Sequence, residues 1–426
     1  MGDASFDRRD LWIPAPRPDW MAEVNAIGDS LDIATIVPLT ATSLVDQAIA
    51  NTGLSDFGGG HWREHLEILM EAVEREANLH LAGRMLTRLE LVGYLETRLR
   101  IVEAYGHNPD IDAERIDRPV FITGYARSGT TILFEVLSQD PQFRVAEKWE
   151  ALNPCPPPEV AAYPDPDRIA AADVHSALLD AMLPEFASAH KSGSRLPVES
   201  LELEYPAFIS DVYPIIFNVP TYARHLAKHG VREALEWQRQ TFKLLQWRCP
   251  GTHWLLKSPS HLPHLREILD VFPGMRVIFT HRDPIVTADS VVSVMGTLYW
   301  LRTDRPWGDT ERAIDSLSLA MSNERAQVWD DAIDLIRSGD LPAGRYANFH
   351  YAQFMQDPIA AVRDIYAALE LELLPEVEGR MRAFLAEKTQ GKFGRHAYEH
   401  TPEGVLQDER AAYRDYEAFF DVARES

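Results

Sequence analysis

The sequence predicts an α/β fold in which a central parallel sheet is flanked by helices in three layers. Four short apolar runs, which begin at residues 120, 253, 275 and 346, are each followed by residues with the apolar spacing of a helix. This alternation is typical of parallel strands joined by crossover helices. Helical periodicity also fills residues 41–105 and most of residues 161–246, so we expect helical segments before the sheet and inserted within it.

Helices precede the predicted sheet. Apolar side chains recur three and four residues apart at Leu66, Leu69, Met70 and Val73, and the same spacing returns within residues 86–104. We therefore predict a helical extension over residues 1–118, packed on a core domain of residues 119–426. The helical insertion within that core, at about residues 150–250, is rich in large apolar side chains. Inserted segments of this kind often form substrate pockets in α/β enzymes.

A glycine loop joins the first predicted strand to its helix. Gly124 and Gly129 have the G-x-x-x-x-G spacing of a P-loop, whose backbone N–H groups and helix N-terminus hold a phosphate-like anion. Thr130 and Thr131 follow in place of the P-loop Lys and Ser/Thr, and the loop cation is Arg127. The sequence therefore predicts a P-loop-like fold whose loop suits an oxyacid group better than a triphosphate. The candidate anion-binding residues of this loop are Arg127, Ser128, Gly129, Thr130 and Thr131.

Two further strand ends carry cationic and hydroxyl groups. The second strand ends at Lys257 and Ser258, followed by His261. The third ends at Arg282, and Ser290 follows eight residues later, across the turn from strand to helix. Because the carboxyl ends of neighbouring parallel strands meet at one edge of a sheet, we expect these groups on the same rim as the glycine loop. Arg282 and Ser290 would form a second anion site. A ligand with two anionic ends therefore fits better than one with a single polyphosphate tail.

Charge and composition exclude several classes of partner. The chain of 426 residues carries a formal net charge of −23, which disfavours nucleic acid and anionic lipid surfaces. Cys155 and Cys249 are too few for a disulfide framework, which suits a cytoplasmic protein. The N-terminal residues lack the apolar core of a signal peptide, and uncharged runs are shorter than the roughly 20 residues of a spanning helix. We therefore expect no stable membrane insertion.

The glycine loop resembles the 5′-phosphosulfate loop of sulfotransferases that use 3′-phosphoadenosine 5′-phosphosulfate (PAPS). Arg127 begins the R-S-G-T-T form of the tyrosylprotein and bacterial branches. Arg282 and Ser290, with Pro284 between them, match the segment that holds the 3′-phosphate in this family. Lys257 begins a strand end similar to the Lys-Thr-His-Leu-Pro sequence of the cytosolic enzymes, enlarged by two residues. Similarity therefore extends over most of the chain.

Other positions of the nucleotide site are implied by the same resemblance. Tyr351 is similar to the family tyrosine that lies near the adenine, and Arg395 with His396 resembles the C-terminal loop that closes over the nucleotide. Ser258 accompanies Lys257 at the bridging oxygen of the donor. Ile132 stands where cytosolic members carry Trp, so adenine stacking must come from elsewhere. The resemblance implies PAPS as co-substrate and no metal.

The expected activity is that of a PAPS-dependent sulfotransferase of EC 2.8.2 type. In-line transfer of a sulfuryl group to an acceptor hydroxyl needs donors around the developing charge and a general base at the acceptor. Lys257 is the candidate donor to the bridging oxygen. The base is left open among His261, which resembles the histidine of the cytosolic enzymes, and Glu147 and Glu150, which follow the first helix as in the tyrosylprotein branch.

Two other interpretations remain open at the level of sequence. A P-loop kinase or other nucleotide-dependent phosphotransferase shares the loop spacing, although Thr130 stands where its lysine belongs. A non-catalytic nucleotide-binding protein of the same fold would keep the loop without turnover. The expected partner is a small hydroxylated acceptor, apolar or amphipathic in character, and homo-oligomer formation is left open.

Overall fold

A five-stranded parallel sheet runs through the centre of the protein. The structure, a computed structural model, describes residues 12–185, 193–307, 319–389 and 407–425. Within these ranges the strand order is β2-β3-β1-β4-β5, and all paired strands are parallel. The strands are β1 Val120–Gly124, β2 Phe143–Arg144, β3 His253–Lys257, β4 Arg276–His281 and β5 Tyr346–His350. The predicted α/β fold with a central parallel sheet is confirmed.

Both faces of the central strand are buried. Val120 and Ile122 belong to one apolar cluster and Phe121 to another, and all three are fully inaccessible to solvent. Because successive side chains of a strand point to opposite faces, this division means that apolar layers cover the sheet on each side. A parallel sheet covered on both faces reads as a continuous apolar run, which is the pattern that predicted β1.

Helices form the two layers outside the sheet and the segments between its strands. Among the residues that the structure describes, four stretches are 3₁₀-helices, at Pro109–Ala113, Val160–Ala162, Ser200–Ala207 and Pro259–His264. The α-helices are α1 Asp19–Gly28, α2 Ile33–Ile36, α3 Ala41–Thr52, α4 Trp62–Glu76, α5 Leu81–His107, α6 Thr130–Leu137, α7 Lys148–Leu152, α8 Pro166–Met182, α9 Val212–Ile216, α10 Pro220–His229, α11 Arg232–Gln246, α12 Leu265–Val271, α13 Pro284–Trp300, α14 Leu319–Ser338, α15 Tyr351–Gln356, α16 Pro358–Ala368, α17 Pro375–Thr389, α18 Gln407–Ala412 and α19 Arg414–Phe420.

The N-terminal helices share an apolar core with one face of the sheet. Leu44 and Leu66 lie in the same buried cluster as Phe121 of β1 and Val277 of β4. In the described part of the chain, residues 33–52 are the one stretch with the length and hydropathy of a membrane-spanning helix. The structure breaks that stretch into α2 and α3, and α3 packs against α5. The division into an extension of residues 1–118 and a core domain stays a prediction.

The structure differs from the sequence prediction in small ways. The edge strand β2 has two residues and was not predicted, because so short a strand shows no alternation in its sequence. The helix predicted after β3 begins as the 3₁₀-helix Pro259–His264 and becomes α12 only at Leu265. Pro263, inside that first stretch, accounts for the tighter start, since proline lacks the N–H that an α-helix interior requires.

Candidate active site

The glycine loop lies between β1 and α6, at the carboxyl edge of the sheet. Gly129 is the N-terminal cap of α6, and no side chain caps that helix end. The N–H groups of the first helical turn have no carbonyl partner inside a helix. These amides, with the positive end of the helix dipole, are the groups from which the sequence predicts anion binding, and that binding stays a prediction.

The loop is held against β4 by buried hydroxyl groups. Gly124 pairs with Thr280 in the β1–β4 register, and a Cβ atom at Gly124 would overlap Thr280. The Ser128 hydroxyl donates to the Tyr125 carbonyl oxygen at 2.6 Å, and its oxygen lies 2.5 Å from the Thr280 hydroxyl oxygen. Ser128 is 1% exposed. Its hydroxyl therefore braces the loop in this structure, and the prediction that it contacts a ligand stays a prediction.

Two residues of the loop have left-handed backbone conformations. Arg127 has φ of 72° and Gly129 has φ of 96°. A non-glycine residue in this region is uncommon and often marks a functional site. The Arg127 side chain is half-buried, Thr130 is buried and Thr131 is exposed. The loop thus presents main-chain amides, one guanidinium and one open hydroxyl at the edge of the sheet.

Lys257 ends β3 beside the glycine loop and is paired with Glu199. Lys257 pairs with Ile122 of β1 in the strand register and is 2% exposed. Its ammonium nitrogen lies 2.6 Å from Glu199 Oε1 and 5.9 Å from the ring centroid of Phe134 in α6. Glu199 was not identified from the sequence, since nothing in the local sequence links it to Lys257.

Ser258 closes the same strand end. Its N–H donates to the Ile122 carbonyl oxygen at 3.2 Å, and its carbonyl accepts from the Thr123 hydroxyl at 2.9 Å. Its hydroxyl oxygen accepts from the Ser260 N–H at 3.2 Å, which caps the following 3₁₀-helix. Ser258 is fully buried. These contacts fix β3 to β1 directly beneath the glycine loop.

His261 is buried beside Phe121 of β1. It is 2% exposed, with its Nε2 atom 3.3 Å from Glu204 Oε1 and its ring centroid 5.3 Å from that of Phe121. The same Glu204 oxygen accepts from the Gln238 amide at 2.8 Å. Burial raises the pKa of Glu204, against the opposing effect of His261. His261 is therefore one member of a buried polar group rather than an open side chain at the rim.

Glu147 and Glu150 form a reciprocal cap at the start of α7. The Glu150 carboxylate accepts from the Glu147 N–H at 3.1 Å and from Arg144 at 2.6 and 3.1 Å. Glu150 is fully buried, and both of its oxygens contact Arg144. The Glu147 carboxylate accepts from the Trp149 indole at 2.7 Å and lies 3.5 Å from Arg195. Burial raises the pKa of Glu147 despite these two donors.

Arg282 follows β4 and lies directly against the glycine loop. Its Nη1 atom donates to the Arg127 carbonyl oxygen at 3.1 Å, and its guanidinium carbon is 4.5 Å from the Tyr351 ring centroid. Its Nε and Nη2 atoms donate to the two carboxylate oxygens of Glu425, at 2.7 and 2.9 Å. The structure therefore brings Arg127, Arg282 and Tyr351 together at one edge of the sheet. Glu425 was not identified from the sequence.

The remaining predicted positions are only partly described. Ser290 lies in α13, and its side chain falls outside the described part of the structure. Arg395 and His396 lie outside the described residues. Within the described ranges, no group of three or more His, Cys, Asp or Glu residues is arranged to hold a metal ion.

Comparison with known proteins shows what this chain is similar to. Residues 119–376 match the sequence pattern of the sulfotransferase family. Omega-hydroxy-beta-dihydromenaquinone-9 sulfotransferase Stf3 of Mycobacterium bovis and of Mycobacterium tuberculosis is 26% identical over 293 residues. That alignment covers 64% of this chain and 67% of the relative.

Solved structures share the fold. Sulfotransferase STF9 of Mycobacterium avium superimposes with a TM-score of 0.77 at 25% identity, over 91% of this chain and 98% of that protein. Sulfotransferase STF1 of Mycobacterium tuberculosis H37Rv gives a TM-score of 0.72 at 24% identity, over 88% and 98% respectively, which is evidence for the fold alone. The predicted P-loop-like fold is confirmed by these neighbours.

Proposed function

The chain belongs to the sulfotransferase family, and on that premise we propose that it transfers a sulfuryl group from PAPS to a hydroxyl of a small apolar or amphipathic acceptor. The observation that carries the proposal is the convergence of three groups at the edge of the sheet: the open N-terminus of α6, Lys257 and Arg282. Membership of the family supports sulfuryl transfer over the kinase alternative.

The donor is proposed to bind with its two anionic ends on two sides of the glycine loop. The amides at the start of α6, with Arg127, Thr130 and Thr131, would hold the 5′-phosphosulfate. Arg282, which contacts the Arg127 carbonyl, would hold the 3′-phosphate, and its guanidinium fork suits a phosphate as well as a carboxylate. Tyr351, beneath that guanidinium, would line the nucleoside.

Lys257 is proposed to stabilise the leaving group. In sulfuryl transfer the bond between sulfur and the bridging oxygen breaks, and negative charge grows on the 5′-phosphate. A buried ammonium at the end of β3, level with Ile122 of β1 just before the glycine loop, would approach that oxygen. Ser258, which fixes β3 to β1, would hold Lys257 in position.

Glu199 is our candidate for the general base. Its carboxylate contacts Lys257 at 2.6 Å, and its side chain keeps 32% of its surface exposed. The acceptor proton would pass to Glu199 as the acceptor oxygen forms the new bond to sulfur and the sulfur–phosphate oxygen bond breaks. The three residues suggested by the sequence have competing roles: Glu150 is bound by Arg144, Glu147 by Trp149, and His261 is buried against Glu204.

An apolar acceptor is supported by one relative. The relative Stf3 is named for a menaquinone derivative that bears a terminal hydroxyl. We propose a lipid-like alcohol of this general kind as the acceptor class. As in the sequence prediction, we propose a cytoplasmic enzyme that requires no metal.

The decisive experiment incubates the purified protein with ³⁵S-labelled PAPS and separate lipid and aqueous cell extracts, with and without EDTA. The proposal expects a labelled product in the lipid extract, formed equally well with EDTA. A labelled product only in the aqueous extract would reject the acceptor class. Failure of any extract to accept label, from protein that does not bind adenosine 3′,5′-bisphosphate, would reject the donor.

A further inference from the structure

A carboxylate of the C-terminal segment is bound in the anion site of Arg282. Glu425 lies 143 residues beyond Arg282 in the sequence, and its two oxygens accept from Nε and Nη2 at 2.7 and 2.9 Å. This is the two-point geometry with which arginine binds either a carboxylate or a phosphate. The side that Arg282 presents to an oxyanion is therefore already engaged by the protein itself.

The segment that carries Glu425 is anchored independently of this contact. Tyr416 of α19 stacks on Trp329 with ring centroids 4.5 Å apart, and Phe420 stacks on His281 at 4.5 Å. Arg424 donates to Glu417 at 2.6 and 3.1 Å. These contacts hold α19 on the protein whether or not Glu425 touches Arg282. A change at residue 425 can therefore be local.

A main-chain contact fixes the position of Glu425 itself. Its N–H donates to Asp283 Oδ2 at 2.9 Å, and Asp283 also caps α13 by accepting from the Ile285 N–H at 2.9 Å. Arg410 donates to the same Asp283 carboxylate at 3.1 Å. The backbone of residue 425 is thus held beside the start of α13, and only side-chain torsions are needed to move its carboxylate away from Arg282.

We propose that Glu425 is a built-in competitor for the 3′-anion of the donor, and that donor binding displaces its carboxylate from Arg282. The proposal rests on the proposed function, in which Arg282 binds the 3′-phosphate of PAPS. The ion pair is partly open to solvent, with 17% of the Arg282 side chain and 32% of the Glu425 side chain exposed, so exchange requires no unfolding. Glu425 therefore lowers the affinity for 3′-phosphorylated nucleotides.

The size of the effect follows from the fraction of molecules in which Arg282 is accessible. If the pair is closed in about 70–90% of molecules, the apparent dissociation constant is raised about 3- to 10-fold over that of the open form. The glycine loop is not covered by this carboxylate. A nucleotide without a 3′-phosphate should consequently show no such reduction.

The test is calorimetric titration of the full chain and of Glu425→Gln with adenosine 3′,5′-bisphosphate and with adenosine 5′-monophosphate. Glutamine keeps the size of the side chain and removes the charge that competes with phosphate. We expect Glu425→Gln to bind the bisphosphate about 3- to 10-fold more tightly and the monophosphate unchanged. Glu378→Gln is the matched control, because Glu378 pairs with Arg363 in the same two-point manner, at 2.9 Å for both contacts.

Each other outcome overturns the inference in a recognisable way. Equal or weaker binding of the bisphosphate by Glu425→Gln would mean that Glu425 supports Arg282 instead of competing for it. An equal gain for both nucleotides would place the effect on the glycine loop. The full chain and Glu425→Gln could also both fail to bind the bisphosphate although both unfold cooperatively at similar temperatures. In that case the assignment of PAPS as donor is wrong, and so is the proposal for Glu425.

Discussion

A Cβ atom on Gly129 would lie 2.8 Å from Cδ2 of Tyr351. The tip of the glycine loop therefore rests on the aromatic ring that follows β5. Gly129 also has φ of 96°, a conformation that costs a residue with a side chain roughly 1–2 kcal/mol. Two independent constraints, backbone and contact, thus require glycine at the start of α6.

Substitution Gly129→Ala should lower the free energy of unfolding by at least about 1–2 kcal/mol and displace the loop from Tyr351. Binding of adenosine 3′,5′-bisphosphate should weaken, because the amides at the start of α6 move with the loop. Urea denaturation and calorimetry measure the two effects. Gly93→Ala is the control, since Gly93 lies within α5 with open space at its Cβ position, and this change should raise stability by roughly 0.5–1 kcal/mol.

Arg127 should be required for the transfer reaction. Its side chain is the loop cation proposed for the 5′-phosphosulfate, so Arg127→Ala should abolish PAPS-dependent labelling of any acceptor. Arg127→Lys, which keeps the charge without the planar fork, should retain part of the activity. Normal turnover in Arg127→Ala, measured with ³⁵S-labelled PAPS, would contradict the assignment.

Glu150 is expected to stabilise the fold and to take no part in catalysis. It is fully buried and bound at both oxygens by Arg144, which is itself 8% exposed at its side chain. Removing one partner of a buried ion pair leaves the other charge uncompensated, at a cost of about 3–5 kcal/mol. Glu150→Gln should therefore lose that order of stability in urea denaturation. A variant of normal stability with a greatly reduced kcat would instead support the base role suggested by the sequence.

The local parts of the site could be predicted from the sequence, and the reason is physical. Gly124, Gly129 and Arg127 lie within one strand–loop–helix unit, whose conformation depends on neighbouring residues. The order of the strands is harder to predict from the sequence. Parallel strands nevertheless all end at the same edge of the sheet, so the polar residues at their carboxyl ends must lie along that edge. That rule was enough to place Lys257 and Arg282 beside the loop.

The partners of these cations could not be predicted in the same way. Glu199 is 58 residues from Lys257, and Glu425 is 143 residues from Arg282. Each carboxylate reaches its partner through a long connection whose path depends on tertiary packing. For Glu150 the position in the sequence was misleading in another way. Its place after the first helix suggested a general base, whereas in the structure its carboxylate is buried against Arg144.

Glu199 should be needed for catalysis but not for binding the nucleotide. Once the labelling experiment has identified an acceptor, Glu199→Gln should lower kcat by roughly 10²–10⁴-fold, the range typical of a lost general base. The affinity for adenosine 3′,5′-bisphosphate should change little. Glu147→Gln is the matched control. A loss of nucleotide affinity equal to the loss of kcat would indicate that Glu199 only positions Lys257.

Stability should fall as pH rises above neutrality, because of His264. Burial alone would lower the pKa of this histidine, but hydrogen bonds to Asp211 at 2.9 Å and Glu267 at 3.3 Å outweigh it and raise the pKa to about 10. The folded protein therefore holds a proton that the unfolded chain, with a histidine pKa near 6.5, releases earlier. The stabilisation is complete below about pH 6.5 and is lost progressively toward pH 10, with a slope of at most about 1.4 kcal/mol per pH unit.

Urea denaturation at a series of pH values from 6 to about 9.5 measures this slope. Asp211→Asn removes one of the two carboxylates that hold the proton on His264, so the pKa of His264 in the folded protein should fall, and the loss of stability should be smaller and end at a lower pH. His264→Gln should flatten the profile, since glutamine has no proton to lose. If the profiles of the original chain and of His264→Gln have the same slope above pH 7, the titrating group is another one and the assignment to His264 is wrong.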